Sequence, residues 1–151
     1  MRLYVMRHGD AIQYARTDAE RPLSELGRRQ AAGMVCHLQD EPPAQVIASP
    51  YVRAQQTCSI VCEGLGIDRF ETVPGITPDS DPFQVVKLLE RYGSGSLLMV
   101  SHQPLVSTLI ALLVDGSING GYMMGTASIA CLEFEMVGIG QGHLQWLCHA
   151  V

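Results

Sequence analysis

The chain has 151 residues, 47% hydrophobic and 17% charged, a composition that supports one sizeable core and excludes a disordered chain. Ten basic residues against fifteen acidic ones give a formal charge of −5, which excludes general affinity for nucleic acid or anionic membrane and leaves any attraction for an anion to a local cluster. The longest apolar run, Leu109 to Val114, falls far short of a membrane span, and five cysteines without a leader segment read as free thiols of a cytoplasmic protein.

In chain order, the first element is the unbroken apolar run LYVM (3–6), a strand buried on both faces. It stops at Arg7, His8 and Gly9. A loop over 10–22 contains Arg21, and Ser24 before the next helical stretch reads as an N-cap. Ala31, Met34, Val35 and Leu38 recur at helical spacing. The run VIA (46–48) is a second buried strand, followed by Ser49, Pro50 and a helix whose first turn holds Arg53. Its stripe is Tyr51, Ala54, Cys58, Val61, Cys62 and Leu65, stopped by Gly64 and Gly66. On that stripe Cys58 and Cys62 read as small core residues.

The segment VPGITPDSDP (73–82), with three prolines, is a loop beside a cleft. Val85, Leu88, Leu89 and Tyr92 mark another helix, and SLLMV (96–100) a third buried strand ending in Ser101 and His102. The 104–114 segment is apolar almost all round and reads as a buried helix. After a second loop (115–126), Leu132, Phe134 and Met136 alternate with Glu133 and Glu135, and GIGQG leads into Leu144, Trp146 and Cys148, the pattern of an antiparallel hairpin. The order β-α-β-α-(β)-α-β-α-β-β predicts a three-layer α/β/α sandwich in a single domain over 1–151, with a mostly parallel central sheet and an antiparallel edge hairpin.

Three of the predicted strands deliver polar cargo at the same end: Arg7 and His8, Arg53, and His102. In a parallel sheet the carboxyl ends lie along one edge, where ligands of open α/β proteins bind. Two arginines and two histidines brought together repel one another unless an anion sits among them. Guanidinium forks match phosphate oxygens two at a time, and a helix N-terminus at 50–53 adds N–H donors. The cluster reads as a phosphate pocket. No cysteine or histidine spacing makes a metal site, so no cofactor is expected.

Arg7-His8-Gly9, the S-P-x-x-R-A-x-Q-T pattern of Ser49 to Thr57, and the late Ser101-His102 resemble the histidine phosphatase superfamily, phosphoglycerate mutase-like in fold. RHGDA (7–11), RPLSELG (21–27) and SHQPLV (101–106) most resemble its bacterial SixA-type phosphohistidine phosphatases. The resemblance implies a catalytic nucleophile at His8, carrying a phosphohistidine intermediate. It also implies that Arg7, Arg53 and His102 hold the transferring group, that Arg21 is a further phosphate contact, and that inorganic phosphate or its analogues occupy the pocket.

One departure bears on substrate. Many members of the superfamily carry a Glu or Asp proton donor after the third strand, where this chain has Gly75; Asp10, Asp18, Asp79 and Asp81 are the remaining carboxylates to consider. An alkoxide needs a strong proton donor to leave, whereas imidazole leaves a phosphohistidine readily. The expected substrate is therefore a phosphohistidine-containing protein domain, of the histidine phosphotransfer or phosphocarrier type. The alternatives are a small-molecule phosphomonoesterase of the same superfamily, with a loop aspartate as donor, and a non-catalytic phosphate-binding module.

Overall fold

A computed structural model describes all 151 residues. Six strands form one sheet in the order β3-β2-β4-β1-β5-β6. They are β1 (Arg2–Arg7), β2 (Gln45–Ala48), β3 (Glu71–Thr72), β4 (Ser96–Ser101), β5 (Ile129–Glu133) and β6 (His143–Cys148). Strands β3, β2, β4 and β1 run parallel, while β5 is antiparallel to both β1 and β6. The helices are α1 (Glu25–Met34), α2 (Val52–Leu65), α3 (Pro82–Glu90) and α4 (Leu105–Asp115). None is long and apolar enough to cross a membrane.

The period-2 alternation of the buried strands divides the core between the two sheet faces. Leu3, Val5, Ile47, Leu97 and Met99 pack with Val85, Leu89, Val106 and Leu109 of α3 and α4. Tyr4, Met6, Val46, Ala48 and Leu98 pack with Met34 of α1 and with Ala54, Cys58, Val61 and Cys62 of α2. The result is the expected three-layer sandwich. Gly66 closes α2 at φ 71°, the left-handed conformation that glycine adopts without steric cost.

Two elements differ from the sequence reading. The alternating stretch Leu132 to Met136 is only partly strand: β5 begins upstream at Ile129 and ends at Glu133. Ile129 and Cys131 pack into the core on one side of the sheet and Ala130 and Leu132 into the core on the other, so both faces of β5 are covered and its sequence is continuous, not alternating. Phe134 is still buried, and Met136 is exposed in the turn. The Ala31 to Leu38 stripe spans a junction, with α1 ending at Met34 and a 3₁₀ turn covering Val35–His37.

Register brings the polar strand ends level. Arg7 pairs with Ser101, the His8 N–H donates to the Ser101 carbonyl (3.0 Å), and the Ser49 N–H donates to the Val100 carbonyl (3.0 Å). The chain leaving β1 then passes directly over the start of α1. A Cβ on Gly9 would run into the Gly27 carbonyl, and a Cβ on Gly27 into the Asp10 backbone. Glycine on both sides permits this close approach. Gly27→Ala is expected to cost about 3 kcal/mol by overpacking rigid backbone, read as a lowered denaturant midpoint with an unchanged slope; an unaffected midpoint would contradict it.

Candidate active site

Arg7, His8, Arg53 and His102 do converge at the carboxyl edge of the sheet, Arg7 and His8 from the end of β1, Arg53 from α2 and His102 from the end of β4. His8 follows the last residue of β1 and is 7% exposed. Its Nδ1–H donates to the Gly9 carbonyl (2.7 Å). A carbonyl only accepts, so the proton resides on Nδ1 and Nε2 is unprotonated, with its lone pair as an acceptor. Arg53 Nε–H donates to that Nε2 at 3.3 Å. Burial, more than the neighbouring Arg53 and Arg7 charges, pushes the His8 pKa down to about 4.

His102 follows β4 and is 1% exposed. Its ring centroid is 5.1 Å from that of His8. Nε2 meets Ser49 Oγ at 2.7 Å, and that oxygen accepts from the Tyr51 N–H at 3.3 Å. The hydroxyl can donate to Nε2 or accept from it, and the second ring nitrogen is Nδ1. His102 Nδ1 is buried without a protein partner, and so is Arg7 Nε. Two unpartnered polar atoms buried at one site, one of them an arginine N–H, are costly unless a partner enters. The His102 pKa is pushed down to about 3, chiefly by burial, then by the nearby His8 and Arg53.

Arg53, in the first turn of α2, is buried and its guanidinium lies 5.1 Å from the Tyr51 ring centroid. Its Nη1–H donates to the Asp18 carbonyl (2.7 Å) and its Nη2–H to Asp18 Oδ2 (3.1 Å). Arg7 is half-buried and anchored through Nη1–H to the Met124 carbonyl (3.0 Å). Arg21 stands farther out: Nε–H donates to the Ile12 carbonyl (2.9 Å) and Nη1–H to Asp18 Oδ1 (2.8 Å). It joins the cluster through Asp18.

Of the four carboxylates considered as proton donors, only Asp18 reaches the site. Asp10 accepts from Ser24 Oγ (2.6 Å), Asp79 from Thr77 Oγ1 (2.8 Å), and Asp81 caps α3 by accepting from the Phe83 N–H (2.9 Å). Hydrogen bonds from Arg21 and then Arg53 hold the Asp18 carboxyl below its ordinary pKa. A carboxylate kept ionised in this way is a poor acid. Ser101 is buried at a strand end, but its hydroxyl donates to the Ile76 carbonyl (2.7 Å) and not into the cluster.

Supporting contacts absent from the sequence reading fix the backbone. Thr57 Oγ1 accepts from the Gly9 N–H (3.0 Å) and donates to the Arg53 carbonyl (2.8 Å), tying the turn after His8 to α2. Ala127 adopts a left-handed φ of 61° and donates its N–H to the His8 carbonyl (2.9 Å). Positive φ in a residue other than glycine is strained and concentrates at functional sites. Taken together, the site offers forked and single N–H donors around one neutral imidazole with an unprotonated Nε2, a combination suited to holding a tetrahedral oxyanion and attacking its centre.

Comparison with known proteins places this geometry in context. Residues 3–77 match the model of the histidine phosphatase superfamily, branch 1. The chain is 34% identical over 146 residues to the phosphohistidine phosphatase SixA of Escherichia coli K12, covering 93% of this chain and 89% of the relative. It is 34% identical over 130 residues to the SixA homolog of Haemophilus influenzae, covering 75% of this chain and 77% of that one. The solved structure of the protein histidine phosphatase SixA complexed with tungstate superposes with a TM-score of 0.88 at 33% identity, covering 99% of this chain and 97% of that chain.

The two depressed histidine pKa values generate a pH prediction. The unfolded chain takes up a proton at each imidazole from about pH 6.5 downward, whereas the folded chain does so only near 4 for His8 and 3 for His102. Between these limits the unfolded state binds more protons, so stability falls as pH falls. NMR should show the His8 and His102 rings unprotonated from pH 8 to 5, with the thermal midpoint declining below pH 6.5. Ring titration near 6.5 would show that burial does not hold these histidines neutral.

Proposed function

The chain belongs to the histidine phosphatase superfamily, and from that premise we propose that it is a phosphohistidine phosphatase working through a phosphohistidine intermediate on His8. The observation that carries the proposal is the pairing of a neutral His8, its Nε2 unprotonated, with two buried polar atoms left without a protein partner, Arg7 Nε and His102 Nδ1. An oxyanion among them satisfies the Arg7 N–H, and His102 when Nδ1 carries the proton, and sets its central atom before the nucleophile. The relatedness to SixA, including a structure holding tungstate, a tetrahedral oxyanion, supports the same use of the pocket here.

In the first step His8 Nε2 attacks phosphorus and the P–N bond to the substrate imidazole breaks. The leaving ring departs neutral when its far nitrogen already carries a proton. Arg7, Arg53 and His102 hold the equatorial oxygens, where charge sits throughout the transfer. His8 keeps its proton on Nδ1, against the Gly9 carbonyl, and becomes a phosphorylated imidazolium. In the second step water attacks phosphorus, the P–Nε2 bond breaks, and both water protons leave with the phosphate, regenerating neutral His8. Arg21 acts on the phosphate indirectly, by aligning Asp18 against Arg53.

The substrate we infer is a phosphohistidine-bearing protein domain, of the histidine phosphotransfer or phosphocarrier type, met in the cytoplasm by a single catalytic domain. No carboxylic acid is placed to protonate an alkoxide, which disfavours alkyl phosphates. Rapid phosphate release from a phosphohistidine-bearing domain is expected, with alkyl phosphates slower by at least about a hundredfold, the usual contribution of a general acid. His8→Ala is expected to abolish release. Release that survives His8→Ala, or alkyl phosphates turned over as fast as phosphohistidine, would overturn the reading.

A further inference from the structure

The phosphoryl group of a phosphohistidine travels between two imidazoles, and the transfer is easiest when each carries a proton on the nitrogen away from phosphorus. For His8 that proton sits on Nδ1 and is donated to the Gly9 carbonyl. The substrate ring needs an equivalent acceptor on the opposite side of the pocket. We propose that Asp18 supplies it: its carboxylate accepts the far-ring N–H of the incoming phosphohistidine and so selects an imidazole leaving group. The inference rests on the reading of the pocket as a phosphohistidine phosphatase site.

The geometry motivates the assignment. Arg53 spans the interval, with Nε–H on His8 Nε2 at 3.3 Å and Nη2–H on Asp18 Oδ2 at 3.1 Å. From His8 to the carboxylate is therefore one guanidinium and two hydrogen bonds, a distance of the same order as a phosphoryl group plus an imidazole ring. Asp18 opens a 3₁₀ turn, Asp18–Glu20, and is held from several sides. Its carbonyl accepts from Arg53 Nη1–H (2.7 Å) and from the Arg21 N–H (3.2 Å), and Arg21 Nη1–H grips Oδ1 at 2.8 Å.

The Asp18 side chain nevertheless remains 56% exposed, so lone pairs on the carboxylate stay accessible at the mouth of the pocket. Its charge reaches the interior, where it opposes the other influences that depress the His102 pKa. An ionised carboxylate gripped by two arginines cannot protonate an alkoxide, yet it stabilises a protonated imidazole ring by a charge-assisted hydrogen bond. A single residue thus accounts for both the missing proton donor and the preference that replaces it.

The test compares Asp18→Asn with the parent protein on two small donors: phosphoimidazole, whose leaving group carries the far N–H, and p-nitrophenyl phosphate, whose leaving group needs no proton. The ratio of kcat/KM values, phosphoimidazole over p-nitrophenyl phosphate, is expected to fall at least about tenfold, the worth of one charge-assisted hydrogen bond. Equal losses on both donors, or none, would reduce Asp18 to a counter-ion of Arg53 and overturn the proposal. A substrate-side measurement does not depend on the variant folding. Phosphoimidazole methylated on the far nitrogen has no N–H to donate but is a more activated cation, so kcat/KM is divided by the spontaneous hydrolysis rate constant of each donor; for the parent protein this ratio is expected to be at least about tenfold lower for the methylated donor, and equal ratios would also overturn the proposal. His8-independent turnover of phosphoimidazole by the parent protein would instead defeat the underlying reading, and the assignment of Asp18 with it.

Discussion

The hydrogen bond from His8 Nδ1 to the Gly9 carbonyl, 2.7 Å long, is the contact on which the rest of the site depends. It fixes the ring orientation and the tautomer together, leaving Nε2 as the only nitrogen with a lone pair to offer. A hydrogen bond to the next residue in the chain requires that residue's peptide to be immobile, and the fold meets this requirement from several directions. Thr57 of α2 takes the Gly9 N–H, Ala127 donates to the His8 carbonyl, and the glycine pair Gly9 and Gly27 lets α1 press against the turn. The sheet contributes the last constraint through the His8 N–H on β4.

Burial then decides the electrostatics. Arg7, Arg53 and Arg21 bring positive charge to one edge of the sheet and Asp18 offsets part of it, in a chain whose formal charge is −5 overall. Any attraction for an anion is therefore local and short-ranged. The same desolvation that strengthens these contacts keeps both imidazoles neutral near pH 7, so one protein environment produces charged guanidiniums and uncharged imidazoles side by side. The separation works because arginine keeps its proton on burial, whereas these two histidines take one up only near pH 4 and 3.

Much of this was legible in the sequence because strands buried on both faces announce themselves as unbroken apolar runs, and their ends mark one edge of the sheet. That logic located Arg7, His8, Arg53 and His102 together. It failed at β5 for a related reason: the alternating stretch from Leu132 imitates a half-exposed strand, while the strand, Ile129–Glu133, is a nearly continuous apolar run because both of its faces pack into the core. The supporting residues were less legible. Ser49, Thr57 and Ala127 act through hydrogen bonds to His102, Gly9 and His8, partners distant in the chain, and residue type alone does not foretell such contacts. Asp18 was visible as a carboxylate, but its grip by Arg21 and Arg53, and hence its ionised state, depends on how the 10–22 loop folds back on α2.

The central claim is that the phosphoryl group rests on His8 Nε2 between the two steps. Rapid acid-free quenching of a reaction with a phosphohistidine donor, followed by peptide mapping under alkaline conditions that preserve phosphoramidates, tests it most directly. The account predicts a transient, acid-labile phosphoryl group on the peptide containing His8, at the ring nitrogen remote from the Gly9 carbonyl. Sustained turnover with no phosphoryl group on His8 at any time, or its appearance on another residue, would contradict it.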